Sequence, residues 1–543
     1  MIFRVTSFLP FLVVFSMNLS TVSSAAANEF TFELRFRKET KVDSGRFHVI
    51  TEQQNWQAKQ TAFIVCDMWD LHHCLNATRR GAEVAPRMNA VLADARQRGA
   101  TIIHAPSSCM DPYKDHPARA RALAVPRTKT PPVDIEKWCY QIPAEEQGVY
   151  PIDQSDGGED DDLEEHAAWA KKLEAMGRNP RAPWKSQTDL LDIDADRDYI
   201  SDDGVEVWSV LEKHEIKNVV LVGVHTNMCV LGRPFGLRNM ASNGKNVVLM
   251  RDMTDTMYNP LMPPYVSHFT GTDLIIEHIE KWVCPTVTSD QVLGGEVFHF
   301  KNDRRPHVVM IVGEREYGTK VTLPKFAAEH LGKEFRVSFV FVNTEERNDF
   351  PGMDVLETAD VALISARRRA LPEAQMKILR RFVEQGKPVL GIRTANHAFS
   401  LRGETPPAGC LVWEDFDREV IGGNYSTHHG NDAPNVEVSL TTSSAGKHAI
   451  LAGVDLAELE GTGSLYVVSP LVKTATPLLT GAIPNHAPEP IAWVNQSTFG
   501  GKVFYTSLGA AKDFEQPAMN QLLKNAIHWA AGIPVQAATV AKK

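Results

Sequence analysis

Cysteine is scarce and unevenly placed. Six of the seven (Cys66, Cys74, Cys109, Cys139, Cys229 and Cys284) lie in the first 284 residues, and only Cys410 follows. So few in 543 residues exclude a fold built on disulfides. The odd count also leaves at least one thiol unpaired unless it bonds another chain. Beyond residue 27 no continuous apolar run approaches the roughly 20 residues of a membrane span. Positive charge is in deficit, with 57 Lys and Arg against 67 Asp and Glu. There is no basic stripe with interleaved aromatics, so nonspecific nucleic-acid binding is excluded. What is present is a globular composition, 43% hydrophobic and 23% charged, long enough for two to four domains.

Met1–Ala27 has the pattern of a secretory signal: Arg4 near the start, an apolar Phe8–Met17, and Ala25-Ala26-Ala27 as small residues for cleavage. An exported mature chain, periplasmic or extracellular, is expected, with no membrane span. Residues 28–59 alternate weakly and are expected to form an extended arm.

Two stretches carry chemistry. Val219 to Val224 is an apolar, β-branched run with the character of a buried parallel strand, and it ends at His225-Thr226-Asn227. Cys229 follows where a helix would begin, and free N–H groups at such an end favour a thiolate. On this stretch alone Cys229 fits either a nucleophile or a small buried hydrophobe. Thr61 to Asp70 reads TAFIVCDMWD, a second apolar strand ending in Asp67. A carboxylate there is costly unless it has a partner or a task. In a parallel sheet both strand ends open on one crevice, where the carboxylate can take the proton of the thiol.

The pair resembles the isochorismatase-like cysteine hydrolases, which include the nicotinamidases and N-carbamoylsarcosine amidohydrolases. IVCDMWD, with Asp67, is similar to the family's strand ending in a catalytic base, and GVHTNMCV (Gly223 to Val230) matches its cysteine motif. The resemblance covers residues 60–289. It implies a cis peptide at Val224-His225, and an oxyanion held by backbone N–H groups of Cys229 and its preceding turn near Met228. The family's third residue is a lysine just after another strand. Here the strand is expected over Thr188–Ile193, so Arg197, nearest the family position, or Lys185, just before the strand, would supply the cation. No metal or cofactor is expected: the place of the nicotinamidase metal motif reads HAPSSCMD, and His72, His73, His104 and His116 have the character of packing or surface residues. The stretch between Ala105 and Gln187 is too long for a simple connection and is expected to form a lid or specificity element, its acidic run Asp156 to Glu165 solvated.

After a polar join at 290–305, strand and helix patterns resume: strands His307–Val312, Arg336–Asn343, Asp360–Ser365 and Pro388–Ile392, and helix Glu373–Gln385. GKPVLGIRTANHAF, GGNYSTHHG and GGKVFYTSLGAAKDF resemble the ThuA-like (trehalose-utilisation-type) domains of class I glutamine amidotransferase-like fold, over residues 306–534, with a tail at 535–543. The amidotransferase nucleophile position is Arg393, which cannot act as one. His397, His428 and His429 either line a ligand pocket with Arg393 or hold turns. The expected fold is therefore α/β: two doubly wound, Rossmann-like parallel-sheet domains in tandem after a signal peptide. The function expected is hydrolysis of an amide or ureide C–N bond in a small-molecule substrate. The alternative is a catalytically lapsed binding protein, carbohydrate- or surface-associated. A homo-oligomer is left open.

Overall fold

The computed structural model describes residues 28–430 and 434–535; the expected signal, Met1–Ala27, and residues 536–543 lie outside them. Two large sheets form, one of eight strands and one of nine. Each has a parallel centre, made of short runs of Val, Ile, Leu and Phe that are buried on both faces. Each is extended on one side by antiparallel strands, so neither is wholly parallel as expected. Among the described residues no helix is long and apolar enough to cross a membrane.

In the first sheet the parallel strands lie in the order Thr286–Val287, Asn246–Asp255, Asn218–Val224, Thr61–Cys66, Thr101–Ala105, Tyr199–Ile200. Thr61–Cys66 is at the centre, with Cys66 paired to Gly223 on one side and to Ala105 on the other. The chain runs outward from it in both directions, which opens a crevice at the carboxyl ends.

The expected arm over 28–59 is instead a β-hairpin. Glu29–Glu39 pairs antiparallel with Phe47–Gln57, and Arg35 joins Thr286 at the sheet edge. The alternation of EFTFEL is the period-2 pattern of a half-buried strand: Phe30, Phe32 and Leu34 point into the core. The opposite face carries Arg35 and Arg37, whose Nε atoms donate to Glu280 at 2.7 and 3.0 Å. Burial alone would raise Glu280, but Arg35, Arg37, Arg251 and the Thr286 hydroxyl bring it down to about 2. Because the folded value lies below the ordinary 4.5, this carboxylate stabilises the fold above pH 4.5. That stability is lost as the pH falls from there toward about 2. The urea midpoint should therefore decline over this window. Glu280→Gln should cost about 3 kcal/mol at neutral pH, since it removes the carboxylate of Arg35 and leaves Arg37 with Glu277 alone, and should flatten the decline.

The strand expected over Thr188–Ile193 is absent. That segment turns, with the Leu191 N–H donating to Thr188 O, and the edge strand is Tyr199–Ile200. The aspartates around it divert the backbone into local bonds: Asp194 Oδ1 accepts from the N–H groups of Asp196 and Arg197 at 2.9 and 3.0 Å. The acidic run is solvated only in part, with Asp156, Glu164 and Glu165 exposed. Asp160 forms two bonds with Arg80 (2.8 and 2.9 Å), Asp161 accepts from the Leu75 N–H, and Asp162 caps helix Leu163–Ala175. These contacts fasten the long insertion onto helix Leu75–Arg98.

Candidate active site

Two adjacent strand ends build the site. Asp67 leaves its strand at φ +45°, a conformation aspartate tolerates better than most residues, and is fully buried. Its Oδ1 accepts from the Ser107 N–H at 2.8 Å. Beside it, Gly223 at φ +111° bends the neighbouring strand, and the Val224-His225 peptide is cis as the resemblance implied. Thr226–Val230 then forms a single wide turn, with the Val230 N–H donating to His225 O, and Pro234 delays the regular helix until Leu237. The turn places the Cys229 thiol beside the Asp67 carboxylate, close enough for each to shift the other's ionisation.

The cation beside this pair is Arg233. Its Nε and Nη2 each lie 2.9 Å from Asp67 Oδ2, and its guanidinium sits 5.3 Å from the centre of the Trp138 ring. Arg197 does not fill this place: it is largely exposed and pairs with Asp194 at 2.6 Å. Lys185 is also exposed and donates to Gly177 O at 3.4 Å. Both were placed by reference to a strand that does not form. Arg233 was missed although a signal existed, since a residue four after Cys229 on a helical turn projects from the same face.

Burial pushes Asp67 up; Arg233, the Cys229 thiol and Ser107 oppose this, and the net value is raised. Burial, and then the Asp67 charge, hold the Cys229 thiol well above its ordinary value, while Arg233 and the His225 amide favour the thiolate. The resting site is thus a thiol beside a carboxylate that is paired with a guanidinium. Met228 is 39% exposed, and its N–H already donates to His225 O at 3.0 Å, which takes it out of the expected oxyanion pair.

Around the pair the walls are aromatic. Trp69 stacks on Trp184 at 4.2 Å and donates from Nε1 to Ser107 O, and His72 packs edge-on against His225. His225 is buried and lowered to about 4, first by burial, so its imidazole is neutral. His104 is locked between Gln187 and Asp198, and His116 caps a short helix. A cavity of 480 Å³ opens beside the turn, lined by Trp138, Tyr150, Asn227, Met228, Arg238 and His278. Its floor is a buried ionic cluster that sequence reasoning also missed: Arg238 grips Glu145 through two bonds of 2.8 Å, and His278 reaches the same carboxylate at 2.8 Å.

In the second domain Arg393, His397 and His428 gather around a group of tyrosines, whereas His429 departs from them and stacks on His486 at 4.0 Å.

Residues 308–530 match the family model for ThuA, trehalose utilisation. A ThuA-like protein from Bacteroides uniformis ATCC 8492 is similar to this region at 16% identity and a TM-score of 0.31, over 44% of this chain and 95% of that one. A cysteine hydrolase from Pseudomonas syringae pv. phaseolicola 1448A is similar at 15% identity and a TM-score of 0.26, over 44% of this chain and 92% of its own. An isochorismatase family protein from Desulfovibrio vulgaris gives 12% identity and a TM-score of 0.23, over 42% and 94%. No curated protein matches the chain. Scores this low leave the functional reading to the site itself.

Proposed function

We propose that the domain before the ThuA-like region is a cysteine hydrolase that cleaves an amide or ureide C–N bond of a small molecule. The observation that carries this reading is the buried Asp67 carboxylate paired with the Arg233 guanidinium, with the Cys229 thiol beside it. As sulfur attacks the substrate carbonyl carbon, its proton passes to Asp67, and Arg233 offsets the charge on the nascent thiolate. The oxyanion is held by the Cys229 N–H. Collapse breaks the C–N bond, and Asp67 returns the proton to the leaving nitrogen. Water, deprotonated by Asp67, then cleaves the thioester and restores the thiol. No metal or cofactor enters this reading. We further propose that the mature chain is exported after cleavage at the end of Met1–Ala27.

The test is a panel of small amides and ureides with rapid quenching and intact-mass analysis. The expected result is an acyl adduct on Cys229 during turnover, absent in Cys229→Ala, whose turnover falls by at least about a thousandfold. Full turnover by Cys229→Ala would replace this route with one driven by the carboxylate directly. A second reading, a binding protein whose chemistry has lapsed, is supported by the 7% exposure of Cys229 and by Arg233 already occupying the carboxylate. Intact-mass analysis separates the two: an active site should accumulate the acyl adduct on Cys229 with at least one member of the panel, and a lapsed one should give neither adduct nor turnover.

A further inference from the structure

The ThuA-like region holds a polar cavity that the Asp67–Cys229 chemistry does not use. In its sheet, strand His307–Gly313 lies between Arg336–Phe341 and Val361–Ala366, all parallel, so the chain leaves this strand in both directions and a crevice opens at the carboxyl ends. Tyr317 follows the first of these strands, Arg367 follows Val361–Ala366, and His397 follows Val389–Ile392. Together with Tyr425, His428 and Tyr466 they line a cavity of 240 Å³. Tyr466 donates its hydroxyl to that of Tyr317 at 2.9 Å, the Tyr425 hydroxyl bonds His428 Nδ1, and the His397 ring stacks on Tyr425 at 4.5 Å.

The charge here is one-sided. Arg393 sits at φ +46° on the turn after Val389–Ile392 and is 2% exposed. Its guanidinium lies 4.2 and 4.5 Å from the ring centres of Tyr317 and Tyr466, and its Nη1 donates to the carbonyls of Ser464 and Ser507. Its Nε has no partner, and among the described residues no carboxylate forms a salt bridge with it. Arg402 lies 5.2 Å from the centre of the Tyr425 ring, and the buried Nε of Arg368 is also unpartnered. The carboxylate among the lining residues, Glu316, is taken by Arg367 at 2.9 Å. Glu314 is taken by the N–H groups of Glu316, Tyr317 and Thr319. Burial, followed by Arg368, Arg367, Arg402 and Arg393, lowers His397 to about 3, leaving a neutral imidazole among four guanidiniums.

We infer that this cavity binds a small ring compound bearing one carboxylate or phosphate, its ring against the tyrosine faces and its anion drawn by Arg367 and Arg402. The volume suits a single ring, being below the roughly 300–1,000 Å³ of drug-sized sites. The turn that would present a nucleophile presents a guanidinium, so the cavity retains its ligand without covalent chemistry. Isothermal titration of the full chain with glucuronate, glucose 6-phosphate and neutral glucose tests this. At least one of the anions should bind at millimolar concentrations or tighter, glucose at least about tenfold more weakly, and added salt should weaken the anion. Whichever anion binds identifies carboxylate or phosphate as the recognised group. Arg367→Gln, in the lining, with Arg402→Gln, beside the Tyr425 ring, should lower affinity at least about tenfold with unchanged melting, and Cys229→Ala should leave it unaltered. Glucose binding as tightly as the anions, no anion binding at millimolar concentrations, or undiminished affinity in the double variant would overturn the assignment.

Discussion

Asp67→Asn is expected to leave a folded protein whose hydrolytic kcat/KM is lower by about two to four orders of magnitude. The amide is isosteric, and its oxygen can still accept from the Ser107 N–H that now meets Oδ1. It cannot take the Cys229 proton, and an amide nitrogen turned toward Arg233 replaces attraction with a donor–donor clash. A stability loss of about 1–3 kcal/mol from that unmatched contact is expected. Urea unfolding must therefore be measured beside the kinetics, so that lost folding is not mistaken for lost chemistry. The wild-type pH profile gives a second check. Because burial raises Asp67 above its ordinary 3.8, the acid limb of kcat/KM should fall above that pH, and it should vanish in the residual activity of the variant. Asp67→Asn retaining more than about a tenth of the activity would remove Asp67 from the role of base.

Gly223→Ala is expected to be the most damaging single methyl in the first domain. A Cβ there would stand 2.0 Å from the carbonyl oxygen of Cys66, with φ at +111°. Neither atom can yield. Cys66 lies in the central strand, paired on both sides, and the next residue is Asp67. The loss should exceed about 4 kcal/mol or prevent folding altogether, as read from urea unfolding or soluble yield. Gly45→Ala is the control. Gly45 also has a left-handed φ, +63°, but nothing lies within 4 Å of its Cβ position. Its cost should be only the backbone term of about 1–2 kcal/mol. Equal losses at the two positions would show that conformation, and not the close approach of the two strands, governs Gly223.

Much of this site could be read from the chain because two apolar strands each end in one reactive residue, and parallel pairing aligns such ends. Asp67 and Cys229 needed only that rule. Arg233 did not follow it. It reaches Asp67 from the turn after Cys229, where its N–H donates to Cys229 O at the i+4 spacing of a helix, and not from a strand end. Arg197 and Lys185 were chosen by distance along the chain from a strand over Thr188–Ile193, which local aspartate bonds abolish. The antiparallel strands Thr476–Ala482 and Glu489–Gln496 were obscured because each contains a proline, Pro477 and Pro490, near its start. The Glu145–Arg238–His278 cluster joins residues 93 and 133 positions apart, a separation over which no spacing pattern operates.

The hairpin at Glu29–Gln57 carries the edge of the first sheet two strands outward. Without it the outermost parallel strand would be the two-residue Thr286–Val287, which covers only Leu249 and Met250 of the longer strand Asn246–Asp255 behind it. Unsatisfied N–H and C=O groups there would be a template for a second molecule. The hairpin occupies that template with a strand of the same chain and turns a row of charged side chains, Arg35 and Arg37 among them, toward partners of its own. Residues that take no part in the proposed chemistry thus move the sheet edge onto Phe47–Gln57, away from Asp67 and Cys229.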